Sequence, residues 1–209
     1  MNKQTIIVAL SVIIFIAAVV AAAYILGSNN SQDNQQADHP DGHHEGQSVY
    51  EEKFNALMGQ EALDFELYSY EGEKIRLQEQ RGKKVVLFFT EGVMCYPSCW
   101  NQIAAFGKDE AFKKEDTVVF SIVVDTKNEW KRAIDKMPEL GVSTVLIDAS
   151  KSISKEYGVL SLPSSMHKGQ FPGHTYLIVD KDGVIRFIKD DPQMAVRNDE
   201  LKAELEKLN

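Results

Sequence analysis

Residues 82–99 read GKKVVLFFTEGVMCYPSC. Lys83 to Thr90 holds a continuous apolar run, Val85 to Phe89, which suits a β-strand covered on both faces of a sheet. The chain's two cysteines, Cys95 and Cys99, follow directly. Pro97 suits the first turn of a helix, where its missing N–H is not needed. A central strand that passes into a helix through a cysteine pair places that pair at the strand's C-terminal end. Open α/β sheets keep their ligand sites there.

With Pro97 at the first helical position, Cys99 falls at the third, beside unpaired backbone N–H groups and the positive end of the helix dipole. A free thiol of pKa about 8.5 is largely protonated at neutral pH, and a helix N-terminus can bring it to about 7 or lower. The thiolate is both a nucleophile and a ligand for soft metals, so the pattern points to disulfide exchange or to metal binding. The two sulfurs reach bonding distance if Cys95 lies just before the regular helix. Such a bridge closes a very short loop and adds little stability on the chain-entropy model, so an inert staple is the weaker reading. The redox reading needs sulfurs that solvent can reach. Two cysteines are too few for a disulfide framework or a Cys₄ zinc site.

The same alternation of strand and helix continues downstream. Residues 117–125 (TVVFSIVVD) read as a second buried strand, 128–137 as an amphipathic helix and 145–147 as a short third strand. Residues 150–157 read as a helix closed by Gly158. Residues 175–179 and 184–188 pair through a turn at 181–183, and 198–208 form a last helix. Upstream, 64–68 and 74–77 read as a hairpin, with a short helix over 50–58. Alternating strand and helix implies parallel strands joined by right-handed crossovers. Trp100 and Trp130 fall on helices and read as core. Met166 and His167 fall in a solvated loop.

The whole chain has 209 residues and a net charge of -8. That balance argues against nucleic acid, which needs clustered Lys and Arg. Ile6 to Leu26 is apolar apart from Ser11, and about 20 such residues span a bilayer. Residues 1–27 therefore read as a membrane anchor or a cleaved signal. Lys3 lies before the run and no further Lys or Arg occurs until Lys53, which directs the rest of the chain to the extracytoplasmic side. Residues 28–48, rich in Asn, Gln and His, read as a flexible tether, and 49–209 as the folded domain. The expected localisation is a single-pass cell-membrane protein with its membrane contact at residues 6–26.

Four stretches carry a family resemblance: 82–99 quoted above, TVVFSIVVD at 117–125, VLIDASKSISKEYGV at 145–159 and GHTYLIVDKDGVIRF at 173–187. Together they resemble the redoxin branch of the thioredoxin superfamily. That branch holds the alkyl hydroperoxide reductase/thiol-specific antioxidant family (peroxiredoxins) and membrane-tethered thioredoxin-like oxidoreductases. The resemblance spans about residues 58–190. It implies a thioredoxin-like α/β fold with an N-terminal hairpin and a helix–strand insertion. It also implies thiol-disulfide exchange or antioxidant peroxide reduction, with Cys95 and Cys99 catalytic and Pro97, His174 and Thr175 as the wall of the site. A thiol protein would be the redox partner, a peroxide a further substrate, and no cofactor is required. In a thioredoxin-like mode Cys95 attacks and Cys99 resolves; in a peroxiredoxin-like mode Cys99 attacks and Cys95 condenses with it. Two departures stand out. Three residues separate the cysteines where thioredoxins have two, and His174 occupies the place of the thioredoxin cis-proline. The spacing and the later histidine are also similar to Sco-type copper chaperones, which implies Cys95, Cys99 and His174 as Cu(I) ligands in an alternative function.

Overall fold

The protein is described from a computed structural model over residues 42–208. Seven strands form one sheet in the order β2-β1-β5-β4-β3-β6-β7. In chain order they are β1 (Glu66–Ser69), β2 (Lys74–Arg76), β3 (Lys84–Thr90), β4 (Thr117–Val123), β5 (Val145–Ile147), β6 (His174–Val179) and β7 (Ile185–Asp190). β3, β4 and β5 run parallel, and β6, β7 and the β1–β2 hairpin pair antiparallel. The helices are α1 (Gly42–Asn55), α2 (Ser98–Lys108), α3 (Lys127–Lys136), α4 (Ser152–Glu156) and α5 (Asn198–Glu206).

Side chains on a strand alternate between faces, and that sorts the core into two layers. Val85, Leu87 and Phe89 of β3 join Phe120, Ile122 and Leu177 on the face covered by α1 and α4, through Phe54 and Ile153. Val86 and Phe88 join Tyr176 and Ile178 on the face covered by α2, α3 and α5. Each fully buried Val, Leu or Phe stabilises the fold by about 1.5–3 kcal/mol relative to exposure. The central strand therefore fixes the sheet's register strongly.

The thioredoxin-like α/β arrangement matches the expectation, and several boundaries move. The sequence reads as one helix over about 97–114, but α2 stops at Lys108 because Asp109 turns the chain, accepting the Ala111 N–H at 3.0 Å to start a separate 3₁₀ turn over Glu110–Lys113. Gly158 closes α4 in the left-handed region, at φ +72°, where its missing Cβ removes the steric cost. α1 begins inside the stretch read as a tether, propagated back from the buried anchor Phe54.

The expected membrane attachment is corrected. Residues 6–26, on which it rested, lie outside the described residues. Among the described residues no helix is long and apolar enough to cross a membrane. The longest, α1, has 14 residues of mostly polar sequence, against about 20 apolar ones for a span. A transmembrane helix preceding the fold, a single-pass membrane localisation, an extracytoplasmic domain and a membrane partner at 6–26 accordingly form no part of the account below.

Candidate active site

The site lies where β3 ends, α2 begins and β6 starts. Thr90, the last residue of β3, pairs directly with His174, the first of β6. Past Thr90 the chain makes a short 3₁₀ turn, Gly92–Met94, and reaches Cys95. Gly92 has φ +66°, and a Cβ there would lie 1.7 Å from Asp125 Oδ2. Only glycine fits both the backbone and the space. Three contacts pin this turn. Val93 N–H donates to Asp125 Oδ2 at 3.0 Å, Gly92 N–H to Thr90 Oγ1 at 3.3 Å, and Trp100 Nε1–H to Gly92 O at 3.2 Å.

Cys95 and Cys99 are joined as a disulfide, with Cα atoms 5.3 Å apart. Cys95 lies just before the regular helix, as the spacing required. Cys99 N–H donates to Cys95 O at 3.0 Å. Pro97 is the N-cap of α2 rather than its first residue, so Cys99 stands at the second helical position and not the third. The turn before it, wound on Gly92, sets that boundary. Pro97 follows a cis peptide bond and lies at the surface between the cysteines.

The expectation of solvent-reachable sulfurs is also corrected. In the bonded state Cys95 is 2% exposed and Cys99 0%. The cover is thin on the Cys95 side, where the flanking residues Met94 and Tyr96 are 52% and 69% exposed. The Tyr96 ring meets Trp100 edge-on at 5.0 Å. Cys99 faces inward.

His174 is fully buried, and its Nδ1 lies 3.4 Å from Cys99 Sγ. Its Nε2 is 2.6 Å from the Tyr176 hydroxyl and 3.2 Å from Ala195 O. Phe88 clamps both rings, edge-on to His174 and stacked on Tyr176, each at 4.7 Å. Burial pushes the His174 pKa down to about 4, against the pull of Asp191. The ring is therefore neutral at neutral pH. The ligand atoms of Cys95, Cys99 and His174 lie within 4.8 Å of one another, so the structure brings together the three residues the sequence singled out most.

Thr175 is not brought in. Alternation turns it to the other face, where Thr175 Oγ1 donates to Asp190 Oδ1 at 2.9 Å. Met166 and His167 are tied down rather than merely solvated. Met166 N–H donates to Glu91 Oε1 at 2.8 Å, and His167 Nδ1 lies 3.2 Å from Glu91 Oε2. Glu91 is itself fully buried at the end of β3. Sequence reading passed over Glu91, Gln102, Asp125 and Tyr176. For Tyr176 the signal existed, since it stands two residues from His174 on a strand and shares its face. Asp125 is raised to about 6 by burial, partly offset by the Val93 N–H.

Comparison with known proteins bears on this geometry. The chain is 34% identical over 125 residues to the chloroplastic peroxiredoxin Q of Sedum lineare, covering 59% of this chain and 63% of that protein. It is 32% identical over 139 residues to the chloroplastic 2-Cys peroxiredoxin BAS1 of Spinacia oleracea, covering 62% and 51%. The chain thus spans less than two thirds of the length of these relatives. Among solved structures, Enterococcus faecalis AhpC superposes with a TM-score of 0.62 at 22% identity, over 72% of this chain and 91% of that one. Peroxidoxin BcpB of Mycobacterium tuberculosis gives 0.60 at 21%, over 73% and 97%. These two establish the shared fold. The AhpC/TSA family model matches residues 58–188, more than half of the sequence and a span that includes Cys95, Cys99, His174 and Tyr176, and on that match the chain belongs to the AhpC/TSA family.

Proposed function

We propose that the domain is a thiol-dependent oxidoreductase of the peroxiredoxin type in which Cys95 meets the substrate and Cys99 closes the disulfide. The carrying observation is the Cys95–Cys99 bridge at the strand–helix junction with His174 Nδ1 against Cys99. Cys95 is the outer sulfur, one residue from exposed positions on each side, whereas Cys99 is enclosed by α2 and β6. A hydroperoxide oxidises the Cys95 thiol to a sulfenic acid and leaves as the alcohol. Cys99 attacks that sulfur, the S–S bond forms and water departs. Two equivalents of an external thiol then return the dithiol, and leave as a disulfide. A disulfide substrate enters by the same route, through a mixed disulfide on Cys95. Pro97 and Tyr96 shape the outer rim. Because both sulfurs are covered when bonded, reduction requires the 92–97 segment to swing outward.

The test is thiol counting on the reduced protein with one equivalent of hydrogen peroxide. Both thiols should disappear in the wild type. Cys99→Ser should stop at a sulfenic acid that a carbon nucleophile traps, and Cys95→Ser should leave Cys99 unreacted. Thiols that persist in the wild type would overturn the reading. So would stoichiometric Cu(I) binding under anaerobic conditions, lost in His174→Ala, without any turnover of peroxide or disulfide.

A further inference from the structure

The hydrogen-bonding groups behind the disulfide bear on where the His174 proton resides. Arg197 N–H can only donate, and it reaches Gln102 Oε1 at 2.7 Å, so that atom is the amide oxygen. The other end of Gln102 agrees: its Nε2 donates to Asn198 Oδ1 at 2.9 Å. Asn198 is fixed in turn by its own Nδ2, which donates to Ala105 O and Asp109 Oδ2, both at 3.2 Å. The Tyr176 hydroxyl lies 2.9 Å from Gln102 Oε1 and 3.4 Å from Ala195 O, and donates to the nearer oxygen. Its oxygen is then free to accept from His174 Nε2 at 2.6 Å. Ala195 O, 3.2 Å from the same nitrogen, can only accept. The opposite tautomer would set two pairs of acceptors against each other, Nε2 against Ala195 O and Tyr176 Oη against Gln102 Oε1. Facing acceptors with no proton between them repel each other in a buried site.

From this we infer that His174 carries its proton on Nε2 and presents a bare Nδ1 lone pair to Cys99, serving as the proton acceptor when Cys99 closes the disulfide. Tyr176 and Gln102 are positioning residues that hold this tautomer. The inference rests on the reading above, in which Cys99 is the closing thiol. In the closing step the Cys99 thiol proton passes to Nδ1 and the sulfur's electron pair forms the bond to Cys95 Sγ. The bond from Cys95 to its leaving group breaks, and that group departs with its electron pair. A leaving hydroxide takes the proton back as water; a leaving thiolate departs to solvent, and the imidazolium then releases the proton. The charged groups that act on the ring are Asp191 and Arg197, which form a bidentate pair at 2.7 Å on each arm; Asp191 favours the protonated ring and Arg197 opposes it more weakly.

An aryl disulfide that liberates a coloured thiolate separates the two steps. Reduced wild-type protein should release one equivalent as Cys95 is capped and a second as Cys99 closes; Cys99→Ser should give only the first. His174→Ala should slow the second release by about 100-fold, the range of a lost general base, and leave the first within a few-fold. Tyr176→Phe should slow it by a smaller factor, and imidazole nitrogen NMR should show its His174 proton shared between both nitrogens rather than held on Nε2. Absence of a second release in the wild type would sink the oxidoreductase reading itself. A second release that is normal in the wild type and equally fast in both variants would sink only the role of His174. A wild-type spectrum with the proton on Nδ1 would do the same.

Discussion

His174 and Thr175 are neighbours on one strand, both buried, both hydrogen-bonded, and they do opposite things. His174 points to the α2 face and meets a sulfur, a hydroxyl and a carbonyl. Thr175 points to the α1 face and donates to Asp190, which also accepts the Ser164 N–H at 2.9 Å and the Ser164 hydroxyl. The first cluster contains a bond that can open and a ring that can change its proton. The second contains only donors matched to one carboxylate. Ser164 joins the two, because the His174 N–H donates to its hydroxyl at 2.7 Å. The structural cluster sets where β6 begins and so where the imidazole stands. One step along the strand separates a group that faces the sulfurs from a group that fixes where the strand begins.

The largest expected effect comes from disturbing the joint itself. A Cβ on Gly173 would lie 2.0 Å from Ser164 Oγ and 2.4 Å from the Ser164 carbonyl carbon and the Ser165 nitrogen. Backbone atoms cannot rotate away, so Gly173→Ala must shift the start of β6. The variant should lose about 3 kcal/mol or more by urea denaturation, and the refolded fraction should close its disulfide more slowly because His174 has moved. A variant of wild-type stability would show that the 164–173 loop yields freely and does not position the histidine.

Next in size is a pH effect that belongs to the reactive face alone. The unfolded chain protonates His174 near pH 6.5, whereas the folded one resists until about pH 4. His174 therefore contributes stability that is present above pH 6.5 and lost as the pH falls toward 4. Asp125, at the end of β4 against the Gly92 turn, runs the other way. Its folded pKa is about 6 against 3.8 unfolded, so its contribution is present below pH 3.8 and lost as the pH rises through 6. The two oppose each other between pH 4 and 6. Asp125→Asn keeps an acceptor for the Val93 N–H and removes the charge. It should raise stability at pH 7 by about 2–3 kcal/mol and then decline from pH 6.5 to 4 more steeply than the wild type. Parallel pH–stability curves would refute this account of Asp125.

Thr175→Val is the control on the structural face. It removes one donor to Asp190 and should cost about 1–2 kcal/mol, with disulfide closure in the folded protein unchanged. Slower closure would return Thr175 to the wall of the site.

What could be read in advance follows the same physics. The apolar runs in β3 and β4 made the sheet legible, because a strand covered on both faces leaves no polar alternation. The cysteine pair was legible as chemistry from its place after β3, and His174 from its place before β6. Thr175 stands next to His174 in sequence, yet alternation along the strand sends its side chain to the opposite face. The burial of both sulfurs could not be read, since it depends on how the Gly92 turn is pinned by Asp125 from beyond β4 and by Trp100 folding back from α2. Gln102 was silent for a similar reason: its partners, Tyr176, Arg197 and Asn198, come from β6 and from the start of α5.

The smallest expected effect separates the two faces by how completely their polar atoms are matched. On the α1 face the Tyr157 hydroxyl donates to Leu63 O at 2.6 Å, and Thr175, Ser164 and Asp190 satisfy one another. The reactive face holds the buried Ser121 Oγ and Trp130 Nε1, neither with a hydrogen-bond partner among the described residues. Ser121 alternates with Phe120 and Ile122 and so shares the face of Val123 and Trp130. A buried hydroxyl without a partner has lost its hydration and gained nothing, whereas an alanine methyl there loses little packing. Ser121→Ala should therefore leave the disulfide chemistry untouched and raise stability by about 0.5–1 kcal/mol, read as a shift of a few degrees in Tm. A loss of about 1 kcal/mol instead would mean that the Ser121 hydroxyl is satisfied after all, and that the reactive face is as fully matched as the structural one.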